Sequence, residues 1–235
     1  MIEQLSLITE SEAPKVAGAQ PKTQVTASWG AEPELAQVRE YVDLEAVRQT
    51  AAGCTRCTLH CGRTRSVFSD GNPRAPLMLV GEGPGQNEDE TGIPFVGRAG
   101  QLLTKILEAI QIDRQKDIYI CNVVKCRPPE NRKPTPEEMR ACFPFLQAQI
   151  DFIRPKIILL AGATALEGVL GIKSPITKIR GQWLETPYHG AKAMAIFHPS
   201  YLLRNPSKEP GTPKWQTWQD VQEVRHALDA LKTQV

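Results

Sequence analysis

Short continuous apolar runs alternate along this chain with stretches in which apolar residues recur every three or four positions. Residues 75–80 (APLMLV) form one such run and end in Gly81-Glu82-Gly83-Pro84-Gly85, the pattern of a buried strand leaving a sheet through a tight turn. Leu102, Leu103, Ile106, Leu107 and Ile110 follow at helical spacing, which predicts a helix after that turn. Residues 118–124 predict a second strand, 157–160 a third and 193–197 a fourth. Between the second and third, Thr135, Pro136 and Glu138 have the spacing of a capping box with proline at the first helical position, and the helix they open carries Phe145, Leu146 and Ile150 on its apolar face. A short helix over 163–170 and a closing one over about 215–231 complete the pattern. Strands separated by helices predict an α/β fold whose mostly parallel sheet is covered on both faces, with the site at the carboxyl ends of the strands.

The first part of the chain reads differently. Residues 1–35 are rich in Ala, Glu, Gln, Ser, Thr and Pro and lack a sustained apolar period, so they are expected to be disordered. Leu35, Val38, Val42, Leu44 and Val47 then predict a helix over 33–50. The expected division is a mostly disordered acidic tail over 1–45 and one domain over 46–235, a length that buries a real core. The formal charge of +2 conceals a split, −4 over residues 1–50 and +6 over the remainder, which permits phosphate binding without requiring it. No apolar run approaches the roughly 18 residues that span a bilayer, and the N-terminus lacks the features of a secretory or transit peptide. A cytoplasmic protein is the expectation, with no membrane partner.

In a reducing compartment clustered cysteines read first as metal or cluster ligands. Cys54-x-x-Cys57 has the spacing at which two thiolates converge, and Cys61, Cys121, Cys126 and Cys142 are the candidates for completing the set. Cys121, in mid-strand, has the place of a core residue. Zinc and a [4Fe–4S] cluster are equally compatible with the spacing. The Gly-rich turn is neither a dinucleotide fingerprint, since Gln86 stands where the third glycine would fall, nor a phosphate-cradling NTPase loop. Its glycines instead let backbone N–H groups approach a small planar ligand. Asn122 and His198 end predicted strands, and His198 is followed by Pro199, which places the imidazole on a fixed loop at the expected site. Arg127, Arg132 and Lys133 are candidates for a phosphate-facing loop, although such a run is equally a solvated surface.

In order, Cys54-x-x-Cys57, LVGEGPGQNEDETGIPFVGRAGQLL, YICNVVKCRPPENR, Cys142 and HPSYLLR resemble the family 4, iron–sulfur members of the uracil-DNA glycosylase superfamily. The resemblance runs from about residue 53 to the C-terminal helix. It implies a three-layer α/β/α fold with a central four-stranded parallel sheet, and a [4Fe–4S] cluster held by Cys54, Cys57, Cys126 and Cys142. It also implies a monofunctional enzyme of base excision repair that acts as a monomer on uracil in single- or double-stranded DNA, hydrolysing the N-glycosidic bond of a flipped-out nucleotide. By the same resemblance Phe95 stacks on the base, Asn122 reads its N3–H and O4, Glu88 crowds C5, and His198 donates to O2 with help from the backbone of Glu82, Gly83 and Gly85. Glu82 and Glu88 are the carboxylates available to act on water, because Gly83 stands where other families carry Asp or Asn. Tyr201, Leu202, Leu203 and Arg204 resemble the loop that wedges into the minor groove. The competing reading is a non-catalytic iron–sulfur or zinc module that binds damaged DNA.

Overall fold

The computed structural model describes residues 41–233. The sheet has six strands, β1 (Asp70–Gly71), β2 (Leu77–Gly81), β3 (Ile118–Asn122), β4 (Ile157–Ala161), β5 (Trp183–Glu185) and β6 (Lys192–Ile196), in the order β1-β3-β2-β4-β6-β5. The central four, β3-β2-β4-β6, are parallel, as expected from the apolar runs. Both edges are antiparallel additions that the apolar pattern does not predict. They are two and three residues long and only partly buried, too short to show a period.

Each central strand buries both faces by alternation. Leu77, Leu79, Ile118, Ile120, Ile157 and Leu159 pack on one side against α3 (Arg98–Ala109) and α8 (Pro213–Lys232). Met78, Val80, Tyr119, Cys121, Ile158 and Leu160 pack on the other against α1 (Leu44–Ala52), α4 (Pro136–Ile153) and α5 (Ala163–Leu170). This is the three-layer arrangement. Because β2 has β3 on one side and β4 on the other, the chain reverses direction across β2, and a crevice opens at the carboxyl ends of these strands. Three short helices complete the set among the described residues: α2 (Gln86–Thr91), α6 (Ile176–Ile179) and α7 (Pro199–Arg204).

The capping box of α4 forms as the sequence predicts, with Thr135 Oγ1 accepting from Glu138 N at 3.2 Å and Glu138 Oε2 accepting from Thr135 N at 2.7 Å. Of the helix predicted over 33–50, the described residues form α1 from Leu44, where the Asp43 side chain caps it by accepting from Ala46 N at 2.8 Å. Val42 is then left 86% exposed. Residues 1–40, and so most of the predicted tail, lie outside the described residues, as do residues 33–40 of that helix. Tyr41 and Leu44 are partly buried and pack against the core. No helix among the described residues is long and apolar enough to cross a membrane.

Candidate active site and cysteine cavity

A cleft of about 230 Å³ opens at the carboxyl ends of β2, β3 and β6. Glu82, Gly83, Gly85, Glu88, Phe95, Asn122 and His198, seven positions that the sequence singles out from three separate segments, all border it. Arg132 reaches its rim.

Asn122 ends β3 and is 1% exposed, and its Oδ1 is buried without a hydrogen-bond partner. An unpaired buried acceptor costs on the order of 1–3 kcal/mol, so this oxygen waits for a donor that the fold does not supply. Gly81 makes room for it: a Cβ there would stand 2.4 Å from both Asn122 Oδ1 and the Phe95 ring. The main-chain oxygen of Asn122 accepts from Lys125 Nζ at 2.6 Å. Phe95 lies in the loop before α3, 7% exposed, at φ 55°. Its backbone is met so closely by α3 that a Cβ on Gly100 would fall 1.9 Å from its carbonyl. The ring centroid is 5.7 Å from that of His198, tilted by 33°.

His198 lies in the short connection after β6, as the sequence suggested, and is the N-cap of α7, with Pro199 at the first helical position. Its Nδ1 accepts from Ser200 N at 3.2 Å and stands 2.8 Å from Ser200 Oγ. Nδ1 is therefore the acceptor nitrogen, which leaves the proton of the neutral ring on Nε2. Burial pulls the imidazole down to about 4, with the positive charge of Arg204 adding to the effect and Glu88 opposing it. At neutral pH the group is an uncharged donor.

The two carboxylates of the cleft differ. Glu88 Oε1 accepts from Val96 N at 2.9 Å and Gly97 N at 2.8 Å, and Oε2 accepts from Gly85 N at 3.1 Å. Both of its oxygens are committed to backbone, so it clamps the Gly-rich turn to the Phe95 loop. Glu82 has a single side-chain partner, Thr164, whose Oγ1 donates to Oε2.

The residues expected to meet DNA are placed as follows. Tyr201, Leu202, Leu203 and Arg204 are helical, within α7, rather than a loop. Leu202 is 1% exposed and packs inward, so of the two leucines only Leu203, 37% exposed, is available to a duplex. Arg132 is ion-paired: Nη1 and Nη2 donate to the buried carboxylate of Glu138, at 2.8 and 2.7 Å. Lys133 pairs with the buried Glu167 at 2.8 Å. Arg127 Nε donates to Asn131 Oδ1 at 2.8 Å within the same loop.

A second cavity is lined by Cys54, Cys57, Cys126 and Cys142, with Arg63 and Lys125 among its walls. Cys61 is exposed and Cys121 is buried inside the sheet. Arg63 Nη1 donates to Cys126 Sγ at 3.0 Å, and Lys125 N donates to Cys142 Sγ at 3.3 Å. Burial raises the thiols of Cys57 and Cys126 and pushes Cys142 up to about 12. Among the described residues no three His, Cys, Asp or Glu side chains are grouped as they would be around one metal ion. Lys125 is 1% exposed, so a buried ammonium and a guanidinium both face this cavity.

The profile of the Uracil DNA glycosylase superfamily matches residues 68–222. A type-4 uracil-DNA glycosylase of Thermotoga maritima is 54% identical over 170 residues, 71% of this chain and 86% of that protein. The chain belongs to the type-4 branch of the uracil-DNA glycosylase superfamily. A type-4 enzyme of Archaeoglobus fulgidus is 40% identical over 69% of this chain and 84% of its own length. A type-5 enzyme of Thermus thermophilus is more distant, at 29% over 55% of this chain and 73% of its own. At these two sites sequence reasoning missed Ser200, Thr164, Lys125 and Arg63. Only Ser200 carried a local signal, two residues after a histidine that precedes proline; Thr164 and Arg63 meet Glu82 and Cys126 across 82 and 63 residues of chain, and Lys125 sits in a segment without a period that marks it.

Proposed function

We propose that this chain excises uracil from DNA by hydrolysis of the N-glycosidic bond, as a uracil-DNA glycosylase of DNA repair. The observation that carries the reading is the buried, unpartnered Oδ1 of Asn122 at the wall of the cleft. A base stacked in a duplex cannot reach it, so the nucleotide must leave the helix, at a cost of a few kcal/mol. Phe95 then offers a face for stacking. Asn122 Oδ1 accepts from uracil N3–H and its NH₂ donates to O4; cytosine presents the reverse polarity at both positions and would leave buried groups unpaired. As the bond breaks, negative charge grows on the base, and the Nε2–H of neutral His198 is placed to stabilise it at O2. Because the ring is held neutral, it donates throughout and gives up no proton in the ground state. Glu82, held through one oxygen by Thr164, is the carboxylate we assign to orienting the attacking water, since both oxygens of Glu88 are engaged.

The cysteine cavity supports a [4Fe–4S] cluster on Cys54, Cys57, Cys126 and Cys142. The four thiols line one cavity, and as thiolates they would hold the cluster's irons. Four thiolates around such a core are anionic overall, the charge that Lys125 and Arg63 can balance. The cluster would supply a structural tie between the Cys54–Cys57 segment and the sheet.

The test is incubation with a uracil-containing oligonucleotide followed by alkali. An enzyme leaves an abasic site that breaks, whereas binding alone leaves the strand whole. Intact strands after prolonged incubation would exclude catalysis in favour of a binding module.

A further inference from the structure

Arg114 lies outside the cleft, in the polar turn between α3 and β3, yet its guanidinium reaches back to the loop that carries Phe95. Nη2 donates to Pro94 O at 2.6 Å and Nη1 to Phe95 O at 3.0 Å, with Thr104 Oγ1 at 3.2 Å from the same nitrogen. Nε pairs with Asp70 Oδ2 at 2.8 Å, and the two side chains are 14% and 18% exposed. Asp70 belongs to the edge strand β1 and is itself braced by Gln115 Nε2 at 3.1 and 3.2 Å.

The loop needs such a brace. Phe95 is a bulky residue in the left-handed region, at φ 55°, a strained conformation that persists only where the surroundings enforce it. Two successive carbonyls gathered by one planar guanidinium fix the orientation of both peptide units, and so the direction in which the Phe95 ring leaves the backbone. A fork of this kind holds these four acceptors at set angles, which a lysine ammonium does not reproduce. The ring so fixed is the one that faces His198 at 5.7 Å.

We propose that Arg114, braced by Asp70, is a positioning residue for base recognition: it sets the Phe95 ring in place before DNA arrives, so that the flipped base meets a preformed platform. This rests on the reading of Phe95 as the surface on which the base stacks. Arg114 does not border the cleft, so its effect on the base travels through the Phe95 loop.

A double-mutant cycle on the full-length holoenzyme tests it, reading inhibition by free uracil, single-turnover cleavage of a uracil oligonucleotide, affinity for uracil-free duplex, iron content and melting temperature. A displacement of the ring by about an ångström is expected to weaken uracil inhibition and cleavage by about tenfold to a hundredfold in Arg114→Met, with uracil-free DNA binding and iron content unchanged. Asp70→Asn should move the same quantities less. In a Phe95→Leu background Arg114→Met should add little further loss. Full, additive loss in that background would overturn the inference, as would wild-type uracil inhibition in Arg114→Met. If Phe95→Leu alone behaves as wild type, the platform reading fails and takes this inference with it; if Phe95→Leu is impaired while Arg114→Met is not, only the inference fails. Should Arg114→Met not fold, Arg114→Lys serves: it keeps the charge beside Asp70 but cannot hold both carbonyls, so uracil inhibition at wild-type strength in that variant would equally overturn the proposal.

Discussion

The choice of base comes down to the polarity of one amide. Asn122 is closed in by Gly81 and the Phe95 ring, so a substitution there changes donors and acceptors with little change of shape. Asn122→Asp replaces the NH₂ that would meet uracil O4 with an acceptor, and uracil excision should fall by roughly two to four orders of magnitude, the effect of a buried charged mismatch of a few kcal/mol. Single-turnover kinetics on U·G duplex, with a C·G control, check this, and undiminished excision would move recognition to another residue. His198 leads to a prediction in pH. Its folded value of about 4 lies below the ordinary 6.5, so as pH falls the unfolded chain takes up this proton first. The stability His198 contributes is complete above about 6.5 and is lost progressively toward 4. Cleavage should accordingly show no acid limb near pH 6.5 from this group, while the melting temperature declines between 6.5 and 4 by less in His198→Ala than in wild type. The same substitution should slow bond cleavage about a hundredfold, as for loss of one transition-state donor, and leave DNA affinity nearly intact.

At the scale of elements, the central strands and α5 were legible because burial on both faces writes itself as continuous apolar runs, and α4 because its cap is a local hydrogen-bond motif. The edge strands were not. Asp70–Gly71 and Trp183–Glu185 are strands only because a neighbour offers its hydrogen-bonding edge, which is tertiary information. Helix α7 was hidden for the opposite reason: His198-Pro199 reads as the end of a strand, although proline at the first position equally opens a helix, and six residues are too few for a period. The cleft residues were found because their segments are distinctive, whereas the fate of Arg132 depended on Glu138 being buried across the loop. That pairing has a measurable consequence. Arg132→Ala removes the partner of a buried carboxylate that the guanidinium holds below the usual range, so the melting temperature should fall clearly. The slope of DNA affinity against salt should change by less than the one unit expected of a phosphate contact. A full unit of slope with unchanged melting would return Arg132 to the phosphate backbone.

For the molecule as a whole, the cysteine cavity ties segments that are distant in the chain. Purified protein is expected to be brown, with iron and acid-labile sulfide near four each per chain as for one cubane, and colourless protein with stoichiometric zinc would defeat the assignment. Cys142→Ser should lose the colour and much of the solubility, whereas Cys61→Ser, at an exposed thiol outside the cavity, should keep both. The order of these ligands along the chain also bears on how the enzyme is made. Cys54 and Cys57 leave the ribosome first, and β2, α2, α3 and β3 are all synthesised before Cys142 appears inside α4. At synthesis rates of about 5–20 residues per second, the nascent chain waits several seconds or longer with an incomplete ligand set. If these four cysteines hold the proposed cluster, its loading has to wait for Cys142, and iron supply would govern how many enzyme molecules are completed. Cells grown with limiting iron should yield less soluble enzyme while each completed molecule turns over at its usual rate.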